Sequence, residues 1–392
     1  MAFADSITVA ELDNDPFPVY AKLRRETPIA YVPAANVWFA TRWDDVDKIT
    51  KSPELFTSEA PTSPVELSFG KPTILTSEGE THSALREGIE PHYRPRKVAE
   101  YIEALVRPIA EQHLENFKSR GQAELMEEYF EPISVLSLAK SFGLGDTSVP
   151  QLRRWFYGLS QGAINYERDP NRQKIADETC AEVDAVILPL LQELQARPNK
   201  SPLSHMLHNG MPEGQTRDPS FILPSVKVTL LGGMQEPGHG AGTILTGLMQ
   251  NPGQLDAVIE NANEHLPRAV DEGLRWVAPI GTQMRLAKCD VEMCGVTIPA
   301  GAPIAAVLAS ANRDETRFEN PDDFNIFRSK SNHASFGFGN HFCAGKWFAK
   351  SQIEIALEVL LSALPSIRFD QDRLPEFRGW EFRAPTSLHV KF

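Results

Sequence analysis

One cysteine in a glycine-rich turn is the feature of this chain best equipped for chemistry. The segment FGFGNHFCAG, Phe336 to Gly345, sets Cys343 among Gly337, Gly339 and Gly345, two positions after His341. Glycine lets the backbone turn tightly and come close to a flat object. A helical pattern begins near the cysteine and runs to about Leu364, so free N–H groups and the positive end of a helix lie near the sulfur. That setting favours thiolate over thiol. A thiolate held this way is a nucleophile or a metal ligand, and the alternative is an inert buried cysteine. Pairing with His341 is a further option, although catalytic Cys–His pairs usually come from distant parts of a sequence. The segment is not a dinucleotide-binding GxGxxG, because Phe342 stands where the last glycine would be.

Other candidate groups sit at helical spacings. Glu272 and Arg275 are an i,i+3 pair on one helix face. The stretch LLGGMQEPGH, Leu230 to His239, falls inside a long apolar helical pattern from about Phe221 to Met249. Pro237 has no N–H to give the Gly233 carbonyl, which predicts a kink there. His239 reads as structural.

The elements that must position these groups are mostly helices. Helical patterns run from Val98 to about Gly121, with Ile102, Leu105, Ile109 and Leu114 on one face, and then near 149–165, 176–197 and Leu266 to Trp276. Short strands are expected over Ile29 to Arg42, around Val291 to Val307 and in the closing PTSLHVKF. The reading is a mainly α (α+β) fold with small sheets. At 392 residues and 42% hydrophobic the chain has enough apolar surface for a large core, which excludes a mostly disordered protein. No apolar run approaches the roughly 20 residues that span a bilayer, and the acidic N-terminal stretch has no signal-peptide pattern. The charge, 39 − 52 = −13, argues against nucleic acid as a partner. Four cysteines are too few for a disulfide scaffold and suit a reducing cytoplasm.

Phe336-Gly337-x-Gly339-x-His341-x-Cys343-x-Gly345 resembles the haem-ligand loop of the cytochromes P-450. Three more signatures follow the family order: Glu272-x-x-Arg275, the segment Ala311-Asn312-Arg313-Asp314 with Phe318 and Pro321, and His82-x-x-x-Arg86. The resemblance implies a P-450 fold, one haem domain over residues 1–392, and haem b with Cys343 as the axial thiolate. In this family the thiolate pushes electron density towards O–O cleavage. The resemblance further implies that His82, Arg86, Arg285 and His341 bind the cofactor's propionates, with His333 as a weaker candidate. Glu272, Arg275 and Arg313 form the buried ion-pair network. Most members carry an acid followed by an alcohol where this chain has Gln235 and Glu236. The alcohol that helps deliver protons is missing, and Glu236 is expected to take over, oriented by Gln235. A carboxyl group there would also assist peroxide cleavage.

The GMQEPGH stretch, with Phe69-Gly70-x-Pro72 and Gly379-Trp380-x-Phe382-Arg383, is similar to the bacterial aromatic O-demethylases that act on guaiacol (2-methoxyphenol). That group clamps its substrate between three phenylalanines. Phe69 and Phe382 match two of them, and Ala163 stands at the third. Losing a ring leaves room, and a second ortho methoxy group would fill it. The expected substrate is therefore the methoxyphenol syringol (2,6-dimethoxyphenol), with Leu75, Val228, Gly232 and Ile280 completing the pocket. Dioxygen, two electrons and two protons would give 3-methoxycatechol, formaldehyde and water, and a second round would give pyrogallol. Guaiacol is the alternative substrate, and a peroxide-driven hydroxylase of another small molecule is the alternative activity.

No dinucleotide fingerprint or second cysteine cluster is present, so a separate ferredoxin and reductase are expected as electron donors. Lys346, Lys350, Arg94, Arg96 and Lys97 would border their docking face. A fatty-acid hydroxylase would want an arginine near Gln235 and Glu236, where none stands. A haem-based gas sensor would usually carry an output domain beyond this length.

Overall fold

In a computed structural model the described residues are 3–61, 63–145, 147–329 and 332–392. Helices form most of the body and four small sheets lie around it. The expected Ile29 to Arg42 strands appear as Ile29–Val32 and Val37–Ala40. They open a five-stranded sheet that continues through Pro303–Ala306, Gln283–Ala287 and Phe56–Thr57. Only the Val37–Ala40 to Pro303–Ala306 pairing is parallel, with Trp38 opposite Ile304.

The main apolar core is helical. The Ile102–Glu115 helix buries Ile102, Val106, Ile109 and Leu114 and packs on Lys346–Ala363, the helix that follows Cys343. Leu105, expected on that face, is half-buried at its margin. The helix expected over 176–197 begins earlier, at Pro170, where the Asp169 side chain accepts from the Asn171 N–H. A polar N-cap followed by proline is a strong start signal.

The long helix expected from Phe221 to Met249 is two helices, Pro219–Met234 and Glu236–Gln250. They break at Gln235, with φ −112° and ψ −24°. Pro237 sits in the first turn of the second helix, where its missing N–H costs nothing. The predicted kink is therefore a full interruption, and Glu236 opens a new helix. The short Pro64–Phe69 helix is capped by Ser63, ends at Gly70 with φ +84°, and leaves Phe69 buried at its last position. The Ile74 N–H donates to Ser225 Oγ (2.9 Å), which ties the segment after Phe69 to the Pro219–Met234 helix.

Among the described residues, no helix is long and apolar enough to cross a membrane.

Candidate active site: a cysteine loop facing a broken helix

The loop around Cys343 is fixed by backbone geometry. Cys343 N–H donates to the Phe336 carbonyl at 2.9 Å, closing the loop. Gly339 has φ +67°, and a Cβ there would lie 2.4 Å from the Thr50 carbonyl oxygen, so no larger residue fits. Gln283, to which the sequence assigned no contact, fastens the loop from the neighbouring strand. Its Oε1 accepts from Phe338 N–H (3.2 Å) and its Nε2 donates to the Phe338 carbonyl (3.4 Å).

A buried polar network holds the loop from the other side. All five N–H donors of Arg275 are used: two to Glu272 (2.8 Å each), and three to the carbonyls of Asn312 (2.9 Å), Pro321 (2.8 Å) and Asp323 (2.9 Å). Asn312 passes the restraint on, since its Nδ2 donates to Ser335 Oγ (2.8 Å) and its Oδ1 accepts from Ala334 N–H (2.6 Å). Ser335 precedes Phe336, whose carbonyl holds Cys343.

The third charged member of this network differs from the expected one. Arg328 Nε lies 3.4 Å from Glu272, whereas Arg313 pairs with Asp322 (3.0 Å), donates to the Trp276 carbonyl (2.8 Å) and lies over the Phe17 ring. The two arginines lie in one irregular segment, and its path carries Arg328 back to Glu272.

A cationic cluster lies near the cysteine. The His82 and His341 rings are 4.1 Å apart. Burial lowers the pKa of both, His341 to about 4; Arg86 and Arg285 lower His82 further, and Arg285 and His82 lower His341. Arg285 is itself buried and pushed down to about 10. Glu78 faces His341 at 3.4 Å, and Glu90 pairs with Arg86. His82 Nε2 is buried with no hydrogen-bond partner. His333 lies outside the cluster, 3.5 Å from Asp271 beside Lys350.

The profile of the cytochrome P-450 family matches residues 244–380. Pulcherriminic acid synthase of Bacillus subtilis (strain 168) is 25% identical over 99% of this chain and 97% of its own. The solved structure of P450BioI with hexadec-9Z-enoic acid ligated acyl carrier protein is 25% identical, covers 98% of this chain and 99% of its own, and has a TM-score of 0.88. That of cytochrome P-450 CREJ with (4-ethylphenyl) dihydrogen phosphate is 25% identical, covers 97% of each chain, and has a TM-score of 0.86. The profile match, the full-length relatives and the shared fold together support a cytochrome P-450. It is a haem-thiolate monooxygenase. These relatives are named for unlike ligands or products, so family membership defines the reaction centre and the pocket defines the substrate.

The residues of this P-450 fit haem. Cys343 and Gly232 retain accessible surface although both sit in the body of the fold, and no atom lies within 4 Å of a Cβ built on Gly232. Two histidines and two arginines converge where two propionates would supply negative charge. The Gly345 and Lys346 N–H groups and Arg86 favour the Cys343 thiolate, as the sequence suggested, but burial outweighs them and pushes the thiol up. A buried thiolate needs a positive partner, which ferric iron provides when haem is bound. Among the described residues, no cluster of three His, Cys, Asp or Glu is arranged to hold a metal.

Glu236 is buried, and neither of its oxygens has a hydrogen-bond partner. Its own N–H and that of Gln235 favour the anion. Burial dominates and pushes the carboxyl up to about 8. Glu236 also acts electrostatically on Cys343, so the two share one region. Gln235 is buried beside it.

The structure brings part of the expected substrate set together. Ile280 and Phe382 face each other in an antiparallel bridge. Val228 and Gly232 lie one turn apart on the Pro219–Met234 helix. Gly162 lies against Ser68, which brings the Ala163 end of the Val149–Ala163 helix to the Phe69 corner. The same helix sends Phe156 edge-on to Phe382, with ring centroids 6.0 Å apart. It therefore gives Phe382 an aromatic neighbour, while its far end, Gly162 and Ala163, lies beside Ser68. Leu75, 45% exposed, lies further along the loop that Ile74 anchors.

Proposed function

We propose that this P-450 O-demethylates a small methoxyphenol and that syringol is preferred over guaiacol. The observation that supports the reading is the unequal Val149–Ala163 helix: Phe156 lies against Phe382, and the small residues Gly162 and Ala163 end the helix beside Ser68, next to Phe69. A ring between Phe69 and Phe382 gains aromatic contact, and the small residue tolerates a second ortho methoxy group. In this reading residues 1–392 form one haem domain, Cys343 holds the iron, and His82, Arg86, Arg285 and His341 bind the propionates. Haem with dioxygen supplies oxygen insertion into the methoxy C–H bond. Two electrons and two protons balance the second oxygen atom as water, and the hemiacetal product breaks to formaldehyde and the catechol. Glu236 holds and releases a proton for this chemistry, with Gln235 beside it.

The two unpartnered Glu236 oxygens also favour a second reading, in which hydrogen peroxide replaces dioxygen and the two electrons. The carboxyl group then moves a proton between the two peroxide oxygens.

The electron donor is expected to dock behind Cys343. Arg94, Arg96 and Lys97 are exposed next to the helix that carries Lys346 and Lys350. Lys350 is tied to Asp271 (2.6 Å) and Lys97 to Glu100 (2.6 Å), so Arg94 and Arg96 carry most of the steering.

Spectral titration of the ferric protein tests the substrate. Syringol is expected to give a full low- to high-spin Soret shift and guaiacol a weaker one. Ala163→Phe is expected to weaken syringol about tenfold or more while sparing guaiacol. A wild-type preference for guaiacol would discard the volume argument, and no shift with either would discard the aromatic ether.

A further inference from the structure

The Glu236–Gln250 helix packs on the Glu131–Phe142 helix at unusually close range. A Cβ at Gly238 would lie 2.9 Å from the Phe130 carbonyl oxygen and 3.3 Å from Glu131 Cα, so only glycine permits this approach. The contact puts His239, the next residue, against Glu131, with His239 Nε2 and Glu131 Oε1 3.9 Å apart. Glu131 reaches outward to Arg153 (2.7 Å), and Arg153 reaches the exposed Glu127 (3.0 Å). Inward, His239 follows Glu236 by three positions, on the same helix face. His239 Nδ1 and both Glu236 oxygens are buried without hydrogen-bond partners. Ser134, one turn after Glu131, and Thr243, one turn after His239, carry unpartnered buried hydroxyls along the same interface. A row of unsatisfied polar groups on two facing helices is the setting in which bridging water is held.

We propose that His239 and Glu131 form a proton relay that refills Glu236 from the surface. The inference rests on Glu236 being the proton donor. Burial alone lowers the His239 pKa to about 4, so the ring is neutral, with one N–H and one lone pair. Glu131, raised to about 6 by burial, can hold a proton near neutral pH. In the transfer, Glu131 gives a proton to Nε2 while Nδ1 gives its proton, directly or through water, to the Glu236 carboxylate. No net charge appears on the ring. Solvent reprotonates Glu131 past Arg153, and the first tautomer returns when Nε2 gives a proton to water and Nδ1 takes one from water. The edge of the Phe156 ring, 5.8 Å from the His239 ring by centroids, sets the resting orientation.

The test uses the ferric holoenzyme and does not depend on turnover. The infrared C=O band of protonated Glu236 is the band lost in Glu236→Gln. Its rate of shift after transfer to heavy water reports proton exchange at that carboxyl group. Exchange is expected to slow about tenfold or more in both His239→Phe and Glu131→Gln, with wild-type haem content. The two substitutions touch different helices, so one misfolded variant does not remove the test. Unchanged exchange in both would overturn the relay and leave Glu236 as donor. Absence of any band lost in Glu236→Gln would overturn the underlying reading instead.

Discussion

Glu236→Gln is expected to cut product formation about a hundredfold at neutral pH, with electrons lost to peroxide or water. An amide keeps the shape of the side chain but cannot act as an acid, and a positioned proton donor contributes roughly 10²–10⁴ in rate. The pH dependence follows from burial. With its pKa raised to about 8, Glu236 is protonated at neutral pH and gives up its proton above about 8. Product per electron in the wild type should therefore fall as pH rises through about 8, and in Glu236→Gln it should stay low and flat. Stability carries the same signature. Between the ordinary value of 4.5 and about 8 the folded chain holds a proton that the unfolded chain has released. Stability is lost across that window as pH rises, and the whole penalty, of order a few kcal/mol, is present above it. Glu236→Gln should melt above the wild type at pH 9 and close to it at pH 5. Unchanged product per electron would remove Glu236 from the reaction.

Arg275→Ala is expected to have the largest effect on stability. It removes five hydrogen bonds and leaves Glu272, 6% exposed, facing Arg328 at 3.4 Å. Breaking a buried ion pair by removing one partner costs about 3–5 kcal/mol. At about 2 cal/mol/K of unfolding entropy per residue, this lowers Tm by roughly 5 °C in a chain of this size. The loss spreads further, because Asn312 joins Arg275 to Ser335 and so to the Cys343 loop. Haem per protein should fall together with Tm. A shift under about 1 °C with full haem content would show that the network does not hold the loop.

What the sequence revealed depends on how local each cause is. The Cys343 loop, the helix after it and a distortion near Pro237 were legible because glycine and proline act on their own backbone, but the full break at Gln235 was not. Glu272 and Arg275 were legible through the family resemblance, since an i,i+3 charged pair alone is usually solvated surface. Arg328 was not, because its contact with Glu272 spans 56 positions and depends on the path of an irregular segment. Gln283 was missed because its partner, the Phe338 backbone, lies 55 positions away. His239 read as structural because Glu131 lies more than a hundred residues away, and only the glycine contact at Gly238 brings the two together. The thiolate preference of Cys343 was half legible, since the helix N–H groups act as expected but burial opposes them until iron is bound.

The most direct test of the account is a product count. Syringol would be turned over by the haem-loaded protein with a ferredoxin and its reductase, and formaldehyde and 3-methoxycatechol measured against substrate consumed. The account expects one formaldehyde for each 3-methoxycatechol, with both falling together in Glu236→Gln. Consumption of syringol to a ring-hydroxylated product with no formaldehyde, or no consumption at all despite full haem loading, would contradict it.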